Sequence, residues 1–334
     1  MGLKYSDLRA WQDWQNSRSR VRRAKARLTR AEAAPPRRFR YRRGDGAPVV
    51  LAGVDSGSPT SLAAVVAPLE HLSDVPLAIE STVDLGAALG DAWTQDPAPT
   101  ATPQLLLTLG AHLPVGRGLS ERHSGVRHAI VQHGLLTPLS PPAPPGADLL
   151  AWSNADAGFW AAGRPDLRTA VVGSHLLWRA GQQLSAPVSR FLEPVYLGQL
   201  HGAELSRAAM TRAAIAFCRS TPAVYRPHPA ETDKASRATH QVMRRLGIEF
   251  DDAGEPLATL GRPVVSAFST GVLEAAVRGV PAWAHFPSPP PWLRGFWKRY
   301  GMREWGGPAT PAPAWVSTGA EPARAIADWI RTAL

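Results

Sequence analysis

From residue 48 onward, short apolar runs alternate with longer stretches of helical periodicity, the pattern of a parallel sheet covered by helices on both faces. Runs at 48–54 (PVVLAGV), 76–80, 105–109 (LLLTL), 128–132 (HAIVQ), 148–152 (DLLAW) and 169–173 (TAVVG) predict six strands. A second series restarts at 193–198 (EPVYLG), 223–226 (AVYR), 263–267 (PVVSA) and 281–285 (PAWAH), with helices over 203–219, 231–246, 270–279 and 292–300. The stretch 176–192 reads as the break between the two series, and a last helix over 320–333 can pack on either. Upstream, Ser6 is placed to cap a helix running to about Ala33, with Leu8, Trp11, Trp14, Val21 and Leu28 as an interrupted apolar stripe and Pro35 and Pro36 ending it. The expectation is an α/β chain of two Rossmann-like domains with a cleft between them, preceded by a basic helix. Its boundaries are 1–45 (helix and linker), 46–180 (N-terminal domain) and 181–334 (C-terminal domain).

Length agrees with two cores, since single cores stop growing at roughly 250–300 residues and the chain has 334. One cysteine, Cys218, allows no intrachain disulfide and no thiolate metal cluster, and no apolar stretch suits a signal peptide or a spanning helix. These features predict a cytoplasmic protein. The net charge of +10 is concentrated at one end: residues 1–43 hold fourteen Lys and Arg against three Asp and Glu, and the rest of the chain is near neutral. Trp and Leu opposite Arg suit a helix lying on an anionic membrane, and equally a helix packed on the body. An Arg-rich start also admits an RNA-binding protein, although the neutral body lacks the known RNA-binding signatures.

In open parallel sheets ligands sit beyond the carboxyl ends of the strands, so the polar residues directly after each strand carry the information. VQHG places Gln132 and His133 at one lip, with Gly134 where the backbone turns; a lone histidine there is more often a turn residue than a catalyst. Asp55 and Ser56 follow the first strand on the same acceptor side. YRPHP holds His228 stiffly between Pro227 and Pro229, with Arg226 beside it, which suits either a phosphate contact or a rigid surface loop. In SAFSTGVLEAAVRGVP (266–281) a strand opens directly into a helix through Ser269, Thr270 and Gly271, offering backbone N–H groups and hydroxyls to a diphosphate, or simply a serine or threonine cap. GQLHG gives a glycine-flanked loop with Gly198 and His201 at the expected cleft. GxGxxG, Walker, GxSxG and HExxH sequences are absent, and Asp251 and Asp252 read as solvated loop, so no metal is called for.

HG after a first-domain strand, RPHP after a second-domain strand, and strand–S-x-x-S/T-G–helix–E followed by G-V-P together resemble the CDP-glycerol glycerophosphotransferase family of teichoic acid polymerases and related GT-B capsule polymerases. The resemblance covers roughly residues 105–285. It implies a GT-B-like, metal-independent transferase that moves a glycosyl or glycerol-phosphate group from a nucleotide-activated donor to a lipid-linked or polymer acceptor, with no cofactor. CDP- or CMP-linked donors are favoured and UDP-linked ones are open. It further implies His133 as catalytic base, His228 with Arg226 and Ser266, Ser269 and Thr270 on the donor's phosphates, and Glu274 near its ribose or sugar. The implied place of work is the cytoplasmic face of an anionic membrane, held through residues 1–43. A nucleotide-sugar 2-epimerase of the same fold is the alternative that needs no acceptor. The loop after HG is proline-rich, TPLSPPAPP.

Overall fold

The computed structural model describes residues 2–18, 37–96, 101–183, 193–199, 204–252, 261–317 and 320–334. The chain divides into two compact units, residues 1–176 with 319–334 and residues 177–318. The first opens with helix α1 (Leu8–Arg18). Its cap is Asp7, not Ser6, because the Asp7 carboxylate accepts from the Arg9 and Ala10 N–H groups at 2.8 and 3.3 Å. The remainder of the helix expected to Ala33 lies outside the described residues.

An eight-stranded sheet follows, built from β1 (Phe39–Arg43), β2 (Val50–Val54), β3 (Leu77–Ser81), β4 (Thr94–Gln95), β5 (Leu105–Thr108), β6 (Arg127–Val131), β7 (Asp148–Ala151) and β8 (Arg168–Val171). The order is β4-β1-β3-β2-β5-β6-β7-β8, parallel from β3 to β8, with β1 antiparallel to both β3 and β4. Its helices are α2 (the run Pro59–Ser61, Leu62–Val66 and Ala67–Glu70), α3 (Pro114–Arg122), α4 (Asn154–Trp160) and the start of α5 (His175–Gln182). Val50, Ala52, Leu105 and Leu107 face Val65, Val66 and Leu69 of α2, together with Ile326, Ala327 and Ile330 of the C-terminal helix Pro322–Ala333. Leu51 and Leu106 point the other way, against Val115 and Leu119 of α3. Coverage of both faces is why these strands read as unbroken apolar runs.

One expectation about this unit is corrected and one open alternative is narrowed. The RRFRYRR run, assigned to a linker, is strand β1: Tyr41 is buried, and Arg38 and Arg40 each approach the buried Glu80 carboxylate at 3.4 Å, with Arg122 at 2.7 Å. Three guanidinium groups satisfy a carboxylate that burial alone would not tolerate. Of the two readings left open for the N-terminal helix, Trp11 takes packing on the body: its Nε1–H donates to the Leu139 carbonyl at 2.8 Å and its ring meets His112 edge-on at 5.5 Å. Among the described residues no helix is long and apolar enough to cross a membrane.

The second unit carries a parallel sheet of order β10-β9-β11-β12. Its elements in chain order are β9 (Val195–Leu197), α6 (Arg207–Ser220), β10 (Val224–Arg226), α7 (Lys234–Arg245), β11 (Val264–Ser266), α8 (Thr270–Val277), β12 (Ala282–Ala284), α9 (Pro291–Tyr300) and α10 (Ala314–Ser317). Tyr196, Phe217, Tyr225, Met243 and Val265 form its core. The domain boundary expected at 180/181 falls inside α5, which occupies the start of the expected break, and the units divide at 176/177. The C-terminal helix, α11 (Pro322–Ala333), belongs to the first unit rather than to a 181–334 body, because its Ile326, Ala327 and Ile330 complete that sheet's apolar face.

Each sheet is braced by a glutamine directly beyond a strand. Gln132, after β6, accepts the Trp152 N–H at 2.9 Å and donates from Nε2 to the Gly134 carbonyl (3.0 Å) and to Asp156 (3.1 Å). Gln199, beyond β9, accepts the Phe268 N–H and the Ser266 hydroxyl, each at 3.0 Å. Replacing either glutamine by leucine strands a buried N–H and should cost about 1–3 kcal/mol. Hydrogen exchange will read it, at the Trp152 amide for Gln132→Leu and the Phe268 amide for Gln199→Leu; unchanged protection at both would refute the brace.

Candidate functional site

The carboxyl ends of β5 and β6 frame a cavity of about 150 Å³ in the first unit. After β5 come Leu109, Gly110 and His112; after β6 come Gln132, His133 and Gly134; Ser140 to Ala143 of the proline-rich loop and Trp160 of α4 close it. Pro142 and Ala143 are buried, so the prolines form a rigid wall. The N-terminal segment holds this loop in place, through the Lys4 N–H on the Pro138 carbonyl (2.7 Å) and Trp11 on Leu139.

Burial pushes the His133 ring below the ordinary histidine value, opposed by a backbone hydrogen bond at Val131. His112 is pushed down to about 3 by burial first and then by the nearby His133 and Arg117 charges. Two neutral imidazoles therefore share the cavity at neutral pH, and a neutral imidazole can accept a proton from a hydroxyl. Gln132, expected on the acceptor side, is instead the brace beneath His133, its amide groups bound to protein. Gly134 does not sit at a tight left-handed turn: a Cβ there would meet nothing within 4 Å, so its value is the open space it leaves at the cavity.

Asp55 and Ser56 are not among the residues of this cavity. Asp55 caps α3 from the end of β2, accepting the Val115 N–H at 2.7 Å and the Gly116 N–H at 3.3 Å, and burial raises its carboxyl above the usual range against those two bonds. Ser56 accepts the Ser58 N–H at 3.1 Å within a local serine turn. Both are consumed by helix starts.

In the second unit the β10 end carries Arg226 and His228. Arg226 donates to Asp251 at 3.0 Å, so it is not a lone permanent charge, and Asp251 is a largely buried partner rather than solvated loop. The His228 Nδ1 accepts the Ala230 N–H at 3.0 Å, which places the ring proton of the neutral form on Nε2. Beneath this turn Glu231 is buried between the Tyr225 hydroxyl (3.0 Å) and His240 Nε2 (2.8 Å).

Gly198 approaches this network so closely that a Cβ would collide with the Tyr225 hydroxyl and Glu231. It is a packing glycine, not a phosphate ligand. Ser266 is likewise corrected: its hydroxyl is buried and donates to the Leu197 carbonyl at 3.1 Å as well as to Gln199. Ser269 caps α8 by accepting the Gly271 N–H at 3.1 Å, which uses one of the helix-start donors. Thr270 is the first helical residue, and Glu274 follows one turn in with its carboxyl raised by burial and opposed by Arg278. His201 lies outside the described residues.

The structure adds residues that sequence reasoning missed. His112 after β5 and His285 after β12 both obey the strand-end rule and could have been found by it. His285 is lowered by burial and packs on Phe217 at 4.9 Å. Gln199, Glu231 and His240 carried no local signal. Among the described residues, no group of three or more His, Cys, Asp or Glu is arranged to hold a metal ion.

These features define the class: an α/β protein of two Rossmann-like units, each with its polar residues gathered at the carboxyl edge of a parallel sheet. No protein-family profile and no curated protein matches the chain. Among solved structures it is similar to the UDP-GlcNAc 2-epimerase of Methanocaldococcus jannaschii in complex with UDP-GlcNAc and UDP, at 11% identity over 69% of this chain and 76% of that one, TM-score 0.41. A second structure of that enzyme gives 9% identity over 85% and 99%, TM-score 0.43. A glycosyltransferase from Rickettsia africae ESF-5 gives 9% over 86% and 88%, TM-score 0.46. The fold class rests on the two sheets themselves.

Acid should destabilise the first unit. His112 is held at about 3 and His128, bonded to Thr108 Oγ1 at 2.8 Å, at about 4, both by burial, whereas an unfolded histidine titrates near 6.5. Below about pH 6.5 the unfolded chain therefore binds protons that the folded one does not, so stability falls with pH, by up to about 1.4 kcal/mol per unit for each group. Urea midpoints at pH 7 and 5 should diverge for the natural chain, and the gap should narrow for a His112→Gln, His128→Gln double variant, in which the lowered His133 remains; an unchanged difference would exclude these two histidines.

Proposed function

We propose that the chain is a GT-B-type transferase in which the first unit binds the acceptor and the second binds a nucleotide-activated donor, delivering a glycosyl or glycerol-phosphate group to an acceptor hydroxyl. The observation that carries this reading is the His133 imidazole, held neutral in a cavity at the strand ends. In the proposed step His133 takes the acceptor's hydroxyl proton while that oxygen bonds to the transferred carbon or phosphorus. The bond to the donor's leaving phosphate breaks, and the phosphate keeps the electron pair. Fixed donors offset that charge: His228 through Nε2–H, Arg226 within its Asp251 pair, and the start of α8. No step in it calls for a metal or cofactor. The basic residues of 1–43 would hold the enzyme at an anionic membrane, where a lipid-linked acceptor resides.

Epimerisation at a sugar carbon is the second reading, favoured by one observation: paired neutral imidazoles can remove a proton and return one. Donor incubated alone distinguishes the two, since an epimerase converts it without acceptor. An RNA-binding reading draws less support, because Arg38, Arg40 and Arg122 converge on Glu80.

CMP, CDP, CDP-glycerol, UDP and UDP-sugars, tested by thermal shift, should include at least one that raises the melting temperature, with the rise lost in His228→Ala. A cytidine-selective rise would favour the glycerophosphotransferase-like donor, and no rise with any nucleotide would overturn the reading. His133→Ala should lower kcat by about 10²–10⁴ while leaving the nucleotide shift intact. Because His133 is depressed, the acid limb of kcat/KM should lie below pH 6.5; a limb above it would assign the base elsewhere.

A further inference from the structure

We propose that Glu231 is the positioning residue for His228: its buried carboxylate anchors the exposed turn carrying that histidine and so presents the ring's Nε2–H to the phosphates of the nucleotide. The inference rests on the donor-binding reading of His228 given above. His228 lies exposed on the loop beyond β10, and Pro227 and Pro229 restrict the chain's φ angles without deciding where the turn sits. Two backbone donors close the turn: the Glu231 N–H on the His228 carbonyl at 2.8 Å and the Ala230 N–H on the His228 Nδ1 at 3.0 Å. The ring is thus part of the turn, and whatever holds residue 231 holds the ring.

Glu231 is held from three elements. Its Oε2 accepts the Tyr225 hydroxyl of β10 at 3.0 Å and meets His240 Nε2 of α7 at 2.8 Å, and its side chain is fully buried. Gly198, just beyond β9, donates its N–H to the Arg226 carbonyl at 2.8 Å and lies against the same carboxylate, where a Cβ would collide. A helix cap does not account for Glu231, because Asp233 caps α7 by accepting the Ser236 N–H at 2.9 Å. Filling space does not account for it either: an apolar side chain fills a core at a lower desolvation cost, whereas a bonded carboxylate adds direction. Directional bonds beneath an exposed histidine order the ring before a ligand arrives, which removes the entropy cost of ordering it on binding.

The test follows the full chain by backbone hydrogen exchange and by a long-range proton–nitrogen correlation spectrum with labelled histidine, in which His228 is the ring missing from His228→Ala. In Glu231→Leu the His228 Nδ1 signal should leave its hydrogen-bonded position and the Ala230 amide should lose protection, while the Phe268 amide of the same unit keeps its own. Whichever of CDP and UDP the natural chain binds should bind this variant about tenfold more weakly, the loss expected when one hydrogen bond to a charged group goes. Tyr225→Phe removes one anchor and almost no volume. It should move the same signals the same way by less, and it decides the matter where Glu231→Leu does not fold. Ile248→Ala weakens the same core through a residue bonded to none of the network, so its melting temperature should fall with His228, Ala230 and nucleotide affinity unchanged. Signals unmoved in both network variants, or moved equally by Ile248→Ala, would overturn the proposal. Nucleotide binding that is absent, or unaffected when the ring moves, sinks the donor reading of His228 and leaves the Glu231 assignment standing; binding lost in His228→Ala, with the ring unmoved in the network variants, sinks the assignment alone.

Discussion

A side-chain amide beyond a strand holds each sheet's working edge together. As twisted parallel strands end, the N–H groups of the following residues lose their ladder partners, and a buried N–H without an acceptor is costly. Gln132 and Gln199 answer this in the same way, each reaching from one strand end to the backbone beyond a neighbour. His133 follows the first of these braces in sequence, and Ser269 follows the backbone gripped by the second. The fixed positions of both residues therefore rest on these two amides, which hold edges whose ends would otherwise be free to splay.

Charge in the first unit is organised inward. Glu80 gathers Arg38, Arg40 and Arg122, and Asp148 gathers Arg127 (2.9 Å) and Arg168 (2.7 Å). Burial raises a carboxylate's energy unless guanidinium groups offset it, and here Glu80 of β3 ties β1 to α3 while Asp148 of β7 ties β6 to β8. Part of the basic N-terminal charge is thereby committed to the fold before any partner is met.

The parallel strands were legible because burial on both faces makes their residues uniformly apolar: all ten expected runs coincide with strands, from Val50–Val54 to Ala282–Ala284. Strand β1 escaped because its pattern alternates Arg with Phe39 and Tyr41, and the carboxylate that makes the arginines tolerable lies 40 residues away on Glu80. Distance in sequence also hid the glutamine braces, whose partners stand 20 and 69 residues off. Local signals that were seen misled when a hydroxyl or glycine had a nearer use: Ser266 in a strand-end bond, Ser269 in a cap, Gly198 under a tyrosine. His112 was within reach, since it follows a recognised strand, and only the geometry revealed that it shares a cavity with His133.

The return of α11 to the first sheet has a consequence for synthesis. Ile326, Ala327 and Ile330 are made after the whole of the second unit, and they cover Val50, Ala52 and Leu105, which are made before it. Throughout translation of the whole second unit, the first sheet waits with part of one apolar face bare. The second unit, contiguous in sequence, can finish first, so the nascent chain carries an unfinished N-terminal half behind a completed insert, a state in which chaperones have a face to hold.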